Sequence, residues 1–143
     1  MTTYLLDVNV LLALGDPLHI HHRLARLWFS GKDRLSWATC PITENGFVRI
    51  ASHPSYTNPP GDLPAVLVLL GELRSAPGHQ FWPDEISILD VLEPNAIVGN
   101  SQVTDAYLLG LAAHKGGKLA TLDRRMPAHA VRGGREALEL LVE

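Results

Sequence analysis

Cysteine is nearly missing from this chain: Cys40 is the single one. It cannot form an internal bridge, so the fold must stand without disulfides, and nothing points to an oxidising compartment. Long apolar runs are missing too. None could cross a bilayer, and the opening MTTYLLDVNVLLALGDP has no basic leader and carries Asp7 inside its apolar stretch. Neither a membrane span nor a secretory signal is expected, which leaves a cytoplasmic protein as the expectation. There is no surplus of positive charge: 12 Lys and Arg face 15 Asp and Glu, for a net charge of −3. That balance argues against broad, non-specific binding to nucleic acid. Repeats, low-complexity tracts and linkers are also lacking. The 143 residues therefore read as one domain, 1–143, of a size that buries about 68–70% of its unfolded surface.

What is present is a regular alternation of apolar runs and amphipathic segments. Tyr4 to Leu6 reads as a buried strand, followed by a mostly apolar helix from Val8 to Leu14. A helix is expected from about His19 to Ser30, with Ile20, Leu24, Leu27 and Trp28 as its apolar stripe. Leu35 to Thr39 reads as a strand, and Pro41 suits the first position of a helix over Ile42 to Ala51. A loop is expected over 55–62. The helix Leu63 to Arg74 is apolar on more than one face, so it is buried on two sides or covered by a partner. His79 to Trp82 reads as a strand and Asp84 to Leu92 as a short helix. Ser101 is expected to cap a helix reaching His114, and Gly116-Gly117 to end it. Lys118 to Leu122 and Ala137 to Val142 complete the strands. This alternation predicts an α/β fold, a parallel sheet with helices on both faces, whose ligands bind at the carboxyl ends of the strands.

Four acids fall where that edge should be. Asp7 and Asp123 follow strands directly, and Glu44 and Asp105 lie in the first turns of helices. Each alone has a plain explanation as a cap, a dipole partner or a turn residue. Together they are expected to meet in one pocket. Asp105 is the hardest to place: the direction of its helix suggests a start near the wrong end of the sheet, so its arrival must depend on the loop before it. Clustered carboxylates repel unless a cation cancels their charge. Mg²⁺ prefers oxygen ligands and usually takes one or two carboxylates, and Mn²⁺ suits the same oxygens. Such an ion can polarise a phosphoryl oxygen and supply hydroxide at neutral pH, which makes phosphodiester hydrolysis the natural reaction. Asn9 could orient Asp7. Thr121 shares a strand face with Asp123, and Thr104 abuts Asp105. Arg49 could neutralise the acids or simply pair at the surface. The closing third of the chain holds Arg124, Arg125, Arg132 and Arg135, a candidate basic rim for RNA. His19, His21 and His22 lack a zinc pattern and read as surface residues, and Cys40 reads as a buried small side chain.

The words LLDVNVLLAL, ATCPITENGFVRI and QVTDAYLLGLAAHKGGKLATLD resemble the PIN domain, and closely the VapC-type toxins of bacterial toxin–antitoxin pairs. The resemblance runs over almost the whole chain. It implies a parallel sheet of order 3-2-1-4-5 and a Mg²⁺- or Mn²⁺-dependent endoribonuclease that cuts structured RNA such as tRNA or rRNA and slows translation. It also implies a homodimer silenced by a cognate antitoxin. The family's motif acids fall on Asp7, Glu44, Asp105 and Asp123. By that likeness Asp7 and Asp105 would be the main metal ligands, and Glu44 and Asp123 would complete the cluster. It also implies that the start of the helix bearing Asp105 reaches the sheet edge. Two other readings compete. One is a phosphorelay receiver, for which Asp84 is a poor phosphoacceptor. The other is a module of this fold that binds RNA or protein without cutting.

Overall fold

Strand side chains alternate between faces, and here that alternation decides the layering. The computed structural model describes residues 1–31, 35–56 and 61–142. Its elements run Thr3–Leu6 (β1), Val8–Gly15 (α1), His22–Gly31 (α2), Ser36–Thr39 (β2), Pro41–Ala51 (α3), Leu63–Arg74 (α4), His79–Phe81 (β3), Ile88–Val91 (α5), Val103–His114 (α6), Lys118–Thr121 (β4) and Leu138–Leu140 (β5). The strands form one sheet of order β3-β2-β1-β4-β5, and every pairing is parallel. Leu5, Ala38 and Leu119 pack with α5 and α6 on one face. Their neighbours Leu6, Trp37 and Ala120 pack with α1 to α4 on the other. The fold class is the one the alternation predicted, and the strand order is the one the resemblance implied.

Several boundaries differ. The second helix starts at His22, and its expected stripe is half right: Leu24 and Trp28 pack against the core, but Ile20 and Leu27 do not. Ile20 is 88% exposed, Leu27 is 59% exposed, and Ala25 is fully buried instead. The helix turns its small Ala25 inward, with Leu24, Trp28 and Phe29 packing beside it. A stripe chosen by side-chain size alone misses such a residue. Ser101 is not a helix cap. It lies inside a 3₁₀ turn, Asn100–Gln102, wound by a bond from the Gln102 N–H to the Gly99 carbonyl (2.8 Å), and α6 begins only afterwards. The helix expected from Asp84 to Leu92 shrinks to Ile88–Val91, because the Ser87 hydroxyl caps it there. Residues 57–60 of the loop expected over 55–62 lie outside the described residues.

The placement of Asp105 also corrects the expectation. A helix that feeds a parallel strand runs antiparallel to it, so it begins over that strand's carboxyl end. α6 turns at Gly116 and Gly117 straight into β4, and its first turn therefore lies at the edge where Asp123 leaves β4. No special loop is needed to bring Asp105 there.

Two close approaches fix the helices around that edge. A Cβ on Gly46 of α3 would sit 2.7 Å from Cγ2 of Val8 at the start of α1. This sets Asp7, the residue before Val8, and Glu44, two residues before Gly46, in neighbouring helix starts. On the other face, a Cβ on Gly110 would run into the Val91 side chain, which is itself 1% exposed. Ala gains about 1 kcal/mol over Gly in a free helix, whereas overpacking a filled core costs about 1–3 kcal/mol. Gly110→Val is therefore expected to lower stability by about 2–3 kcal/mol, read as a shifted urea midpoint with unchanged slope.

Candidate active site

Asp7 ends β1 as the N-cap of α1, its Oδ1 accepting from the Val8 N–H at 2.8 Å. Its backbone N–H donates to the Ala120 carbonyl (3.0 Å), which ties the end of β1 to β4. The hydroxyl of buried Thr121 donates to Asp7 Oδ2 at 2.7 Å. The Asn9 amide donates to Thr121 Oγ1 (3.2 Å) and reaches Asp7 Oδ2 at 3.5 Å, while its carbonyl oxygen accepts from the Leu122 N–H (3.1 Å). The Asp123 N–H in turn donates to Thr121 Oγ1 (3.0 Å). Asn9 and Thr121 thus lock two acids from opposite ends of the sequence into one hydrogen-bonded knot. Asp123 Oδ1 accepts from the Arg125 N–H (2.8 Å), and the Gln102 amide bonds the Arg125 carbonyl (2.8 Å), tying this turn to the loop ahead of α6.

Electrostatics shows the convergence directly. Burial pushes the Asp7 carboxyl above the usual carboxylate range, against the bonds from Thr121 and Val8, and the Asp123 charge pushes it further. Asp105 is half-buried in the first turn of α6 and is pushed up to about 6, by burial first and then by the charges of Asp7 and Asp123. Among the described residues no hydrogen bond reaches its carboxylate. Three of the four predicted acids therefore share one anionic spot.

Glu44 lies at the same edge but has its own partners. Its Oε2 accepts from the Thr39 hydroxyl (2.6 Å) and lies 3.4 Å from the Arg74 guanidinium. Thr39 has one proton and gives it to Glu44, so it must accept from His79 Nε2, 2.7 Å away. The cation beside Glu44 is therefore Arg74 of α4, not Arg49. Arg49 lines a separate hollow with Ile50, His53, Ser55 and Tyr56. Thr39, Arg74, His79 and Gln102 were not singled out from the sequence. One signal for Thr39 was available: β2 and β4 both end in Ala-Thr.

The donor set suits a hard divalent ion. It offers carboxylate oxygens, three of them mutually repelling, with Asp105 unbonded. Among the described residues no three His, Cys, Asp or Glu side chains close into a ready-made metal cage. Mg²⁺ does not require one, since it keeps several waters and takes one or two carboxylates directly. The PIN domain family profile matches residues 4–131. The chain belongs to the PIN-domain family, among the VapC ribonucleases.

This PIN domain is 41% identical to Ribonuclease VapC39 of Mycobacterium tuberculosis over 138 residues, which cover 95% of this chain and 99% of that protein. It is 44% identical to Ribonuclease VapC44 of the same organism over 131 residues, 90% of this chain and 92% of the relative. Its fold matches the crystal structure of M. tuberculosis VapC20, described as a sarcin–ricin loop cleaving toxin, with a TM-score of 0.61 and 14% identity, over 90% of this chain and 96% of that one. That likeness bears on the fold alone.

Elsewhere in this PIN domain the predicted supporting residues divide. Thr104 is exposed and, among the described residues, its side chain makes no hydrogen bond to Asp105. The basic rim splits as well. Arg124 and Arg125 are exposed directly after Asp123. Arg132 and Arg135 lie on the run into β5, where the Ala137 carbonyl meets the Leu119 N–H at the start of β4. A Cβ on Gly133 would touch Ala113 at the far end of α6. Arg132 and Arg135 thus sit at the opposite edge from the acids. Cys40 is fully buried, with its thiol pushed up by burial. His22 bonds the Ala13 carbonyl (2.7 Å) and His19 accepts from the His21 N–H (3.0 Å). Asp84 is exposed on the loop after β3, near enough to the buried Cys40 for its charge to push the thiol up further.

Proposed function

We propose that this chain is the Mg²⁺- or Mn²⁺-dependent endoribonuclease toxin of a toxin–antitoxin pair, hydrolysing phosphodiester bonds in structured RNA such as tRNA or rRNA. The observation that carries the reading is the shared anionic spot of Asp7, Asp105 and Asp123. Asp7 and Asp105 would hold the ion, Asp123 would complete its surroundings, and Glu44 is the fourth acid at the rim. A divalent ion there supplies polarisation of a phosphoryl oxygen and a water of lowered pKa. The chain's own residues do the rest. Thr121 and Asn9 hold the Asp7 carboxylate in one orientation. The turn at Asp123 presents Arg124 and Arg125 beside the site, where their charge meets the phosphates flanking the cut.

Partners of two kinds fit the surface. The outward face of α4 leaves Leu63, Leu67 and Val68 50%, 52% and 62% exposed, which supports a homodimer or cognate-antitoxin contact on that helix. Among the described residues no helix is long and apolar enough to cross a membrane.

The test is cleavage of total RNA by the purified protein with EDTA, Mg²⁺ or Mn²⁺. Activity is expected only with metal, and cleavage undiminished in EDTA would sink the reading. Protons and metal compete for the same oxygens. At low metal, activity should therefore fall as pH drops through about 6, where Asp105 takes up its proton, and higher metal should move the fall to lower pH. A profile flat from pH 5 to 8 would contradict a shared site.

A further inference from the structure

An aromatic ring without a role in the site just described stands beside Arg74, the arginine that pairs with Glu44. Phe81 ends β3 in register with Thr39 of β2. Its ring is 46% exposed, although the adjacent Trp82 is buried. The Arg74 guanidinium lies 5.3 Å from the Phe81 ring centroid and 3.4 Å from Glu44, with 42% of its side chain exposed. Adjacent strands are about 4.8 Å apart, so the end of β3 lies only about 10 Å along the edge from the end of β1, where Asp7 sits.

We propose that Phe81 and Arg74 form a docking platform for one unpaired nucleotide beside the scissile phosphate, the ring stacking on the base and the guanidinium meeting the phosphate. This rests on the ribonuclease reading. Arginine covers one part of the ring and leaves the remainder open to a second flat partner, and any base offers one. The ion pair with Glu44 engages one terminal nitrogen of a group with five N–H donors, so others remain for phosphate oxygens. Sequence-selective RNA recognition works mainly on unpaired, splayed-out bases, and a ring at the sheet edge is placed to accept one. The platform thus selects a loop or single strand over a continuous duplex.

The experiment measures binding of a fluorescein-labelled single-stranded oligoribonucleotide by the full chain carrying Asp7→Asn, so that the RNA survives. In that background Phe81→Leu is expected to weaken binding about tenfold, the size of one lost stacking contact, and Phe81→Tyr to restore it. Phe81→Trp is expected to give an indole signal quenched by the single strand and not by a blunt duplex of the same sequence. Arg74→Gln is expected to lower the slope of log affinity against log salt by about 0.7. Unchanged affinity of Phe81→Leu, an unquenched Phe81→Trp, or no binding at all overturns the platform. So does a Phe81→Leu protein that loses self-association while binding RNA as before, since the ring would then serve a second copy. Cleavage is assayed separately on the unsubstituted protein. Cleavage with no Phe81 effect removes the platform alone, whereas intact stacking without cleavage removes the nuclease reading alone.

Discussion

Replacing Asp7 or Asp105 by Asn should reduce RNA cleavage by about 10²–10³-fold or more while leaving the protein folded. Losing the carboxylate that holds a charge-stabilising ion forfeits several kcal/mol in the transition state, and each 1.36 kcal/mol is about tenfold in rate. Folding should survive for separate reasons. Asn serves as well as Asp at a helix N-cap, so Asn at position 7 can still accept from the Val8 N–H. Asp105 has no hydrogen bond among the described residues to lose. Circular dichroism and the melting temperature check the fold, and initial cleavage rates at saturating Mn²⁺ check the loss. Variants as active as the parent would remove these two acids from the chemistry.

The second large effect concerns stability and has the opposite sign. In metal-free buffer at pH 7.5, Asp105→Asn should melt about 2–4 °C higher than the parent, taking roughly 1 kcal/mol after discounting for the solvent-exposed half of the side chain. The folded chain holds the Asp105 proton up to about pH 6, against an ordinary value of 3.8. Below about pH 4 both folded and unfolded chains carry that proton, and Asp105 costs nothing. Between about pH 4 and 6 the unfolded chain releases it first, so the parent loses stability as pH rises, and above pH 6 the full penalty remains. The α6 dipole favours an acid in its first turn by about 0.3–1 kcal/mol, but burial beside two like charges outweighs it. The advantage of the variant should therefore vanish near pH 4. Millimolar Mg²⁺ should raise the melting temperature of the parent and not of the variant, because only an ion that binds the folded state stabilises it. A variant that melts no higher at pH 7.5 would show that the three charges do not press on one another.

The residues that proved easy to read explain why others were not. Leu5–Leu6 and Leu119–Ala120 divide between the two faces because strand geometry has period two, and Asp7 follows β1 by one residue and Asp123 follows β4 by two. The partners of Glu44 were illegible for the opposite reason. Arg74 lies 30 residues away in sequence, and His79 reaches Thr39 only because β3 pairs with β2. Arg132 and Arg135 looked like neighbours of Arg124 and Arg125 on the chain. The turn through Ala128–Ala130 and the approach to β5 carry them round to the other edge. Family likeness and helix geometry disagree over Asp105 in the sequence, because the antiparallel helix is expected to start at the wrong end of the sheet, whereas it begins over the carboxyl end of the strand it feeds. Ala25 was missed because a methyl group gives little hydropathy signal, even where it is the residue that packs.

The knot of Asp7, Asn9 and Thr121 has a bearing on biosynthesis. Its members are far apart in translation: Thr121 is 114 residues beyond Asp7. A growing chain that has emerged only as far as α4 already holds Asp7, but not the hydroxyl that orients it, nor Asp105, nor Asp123. The anionic centre is consequently a late product of translation, and a message cut short before codon 118 encodes a protein without one.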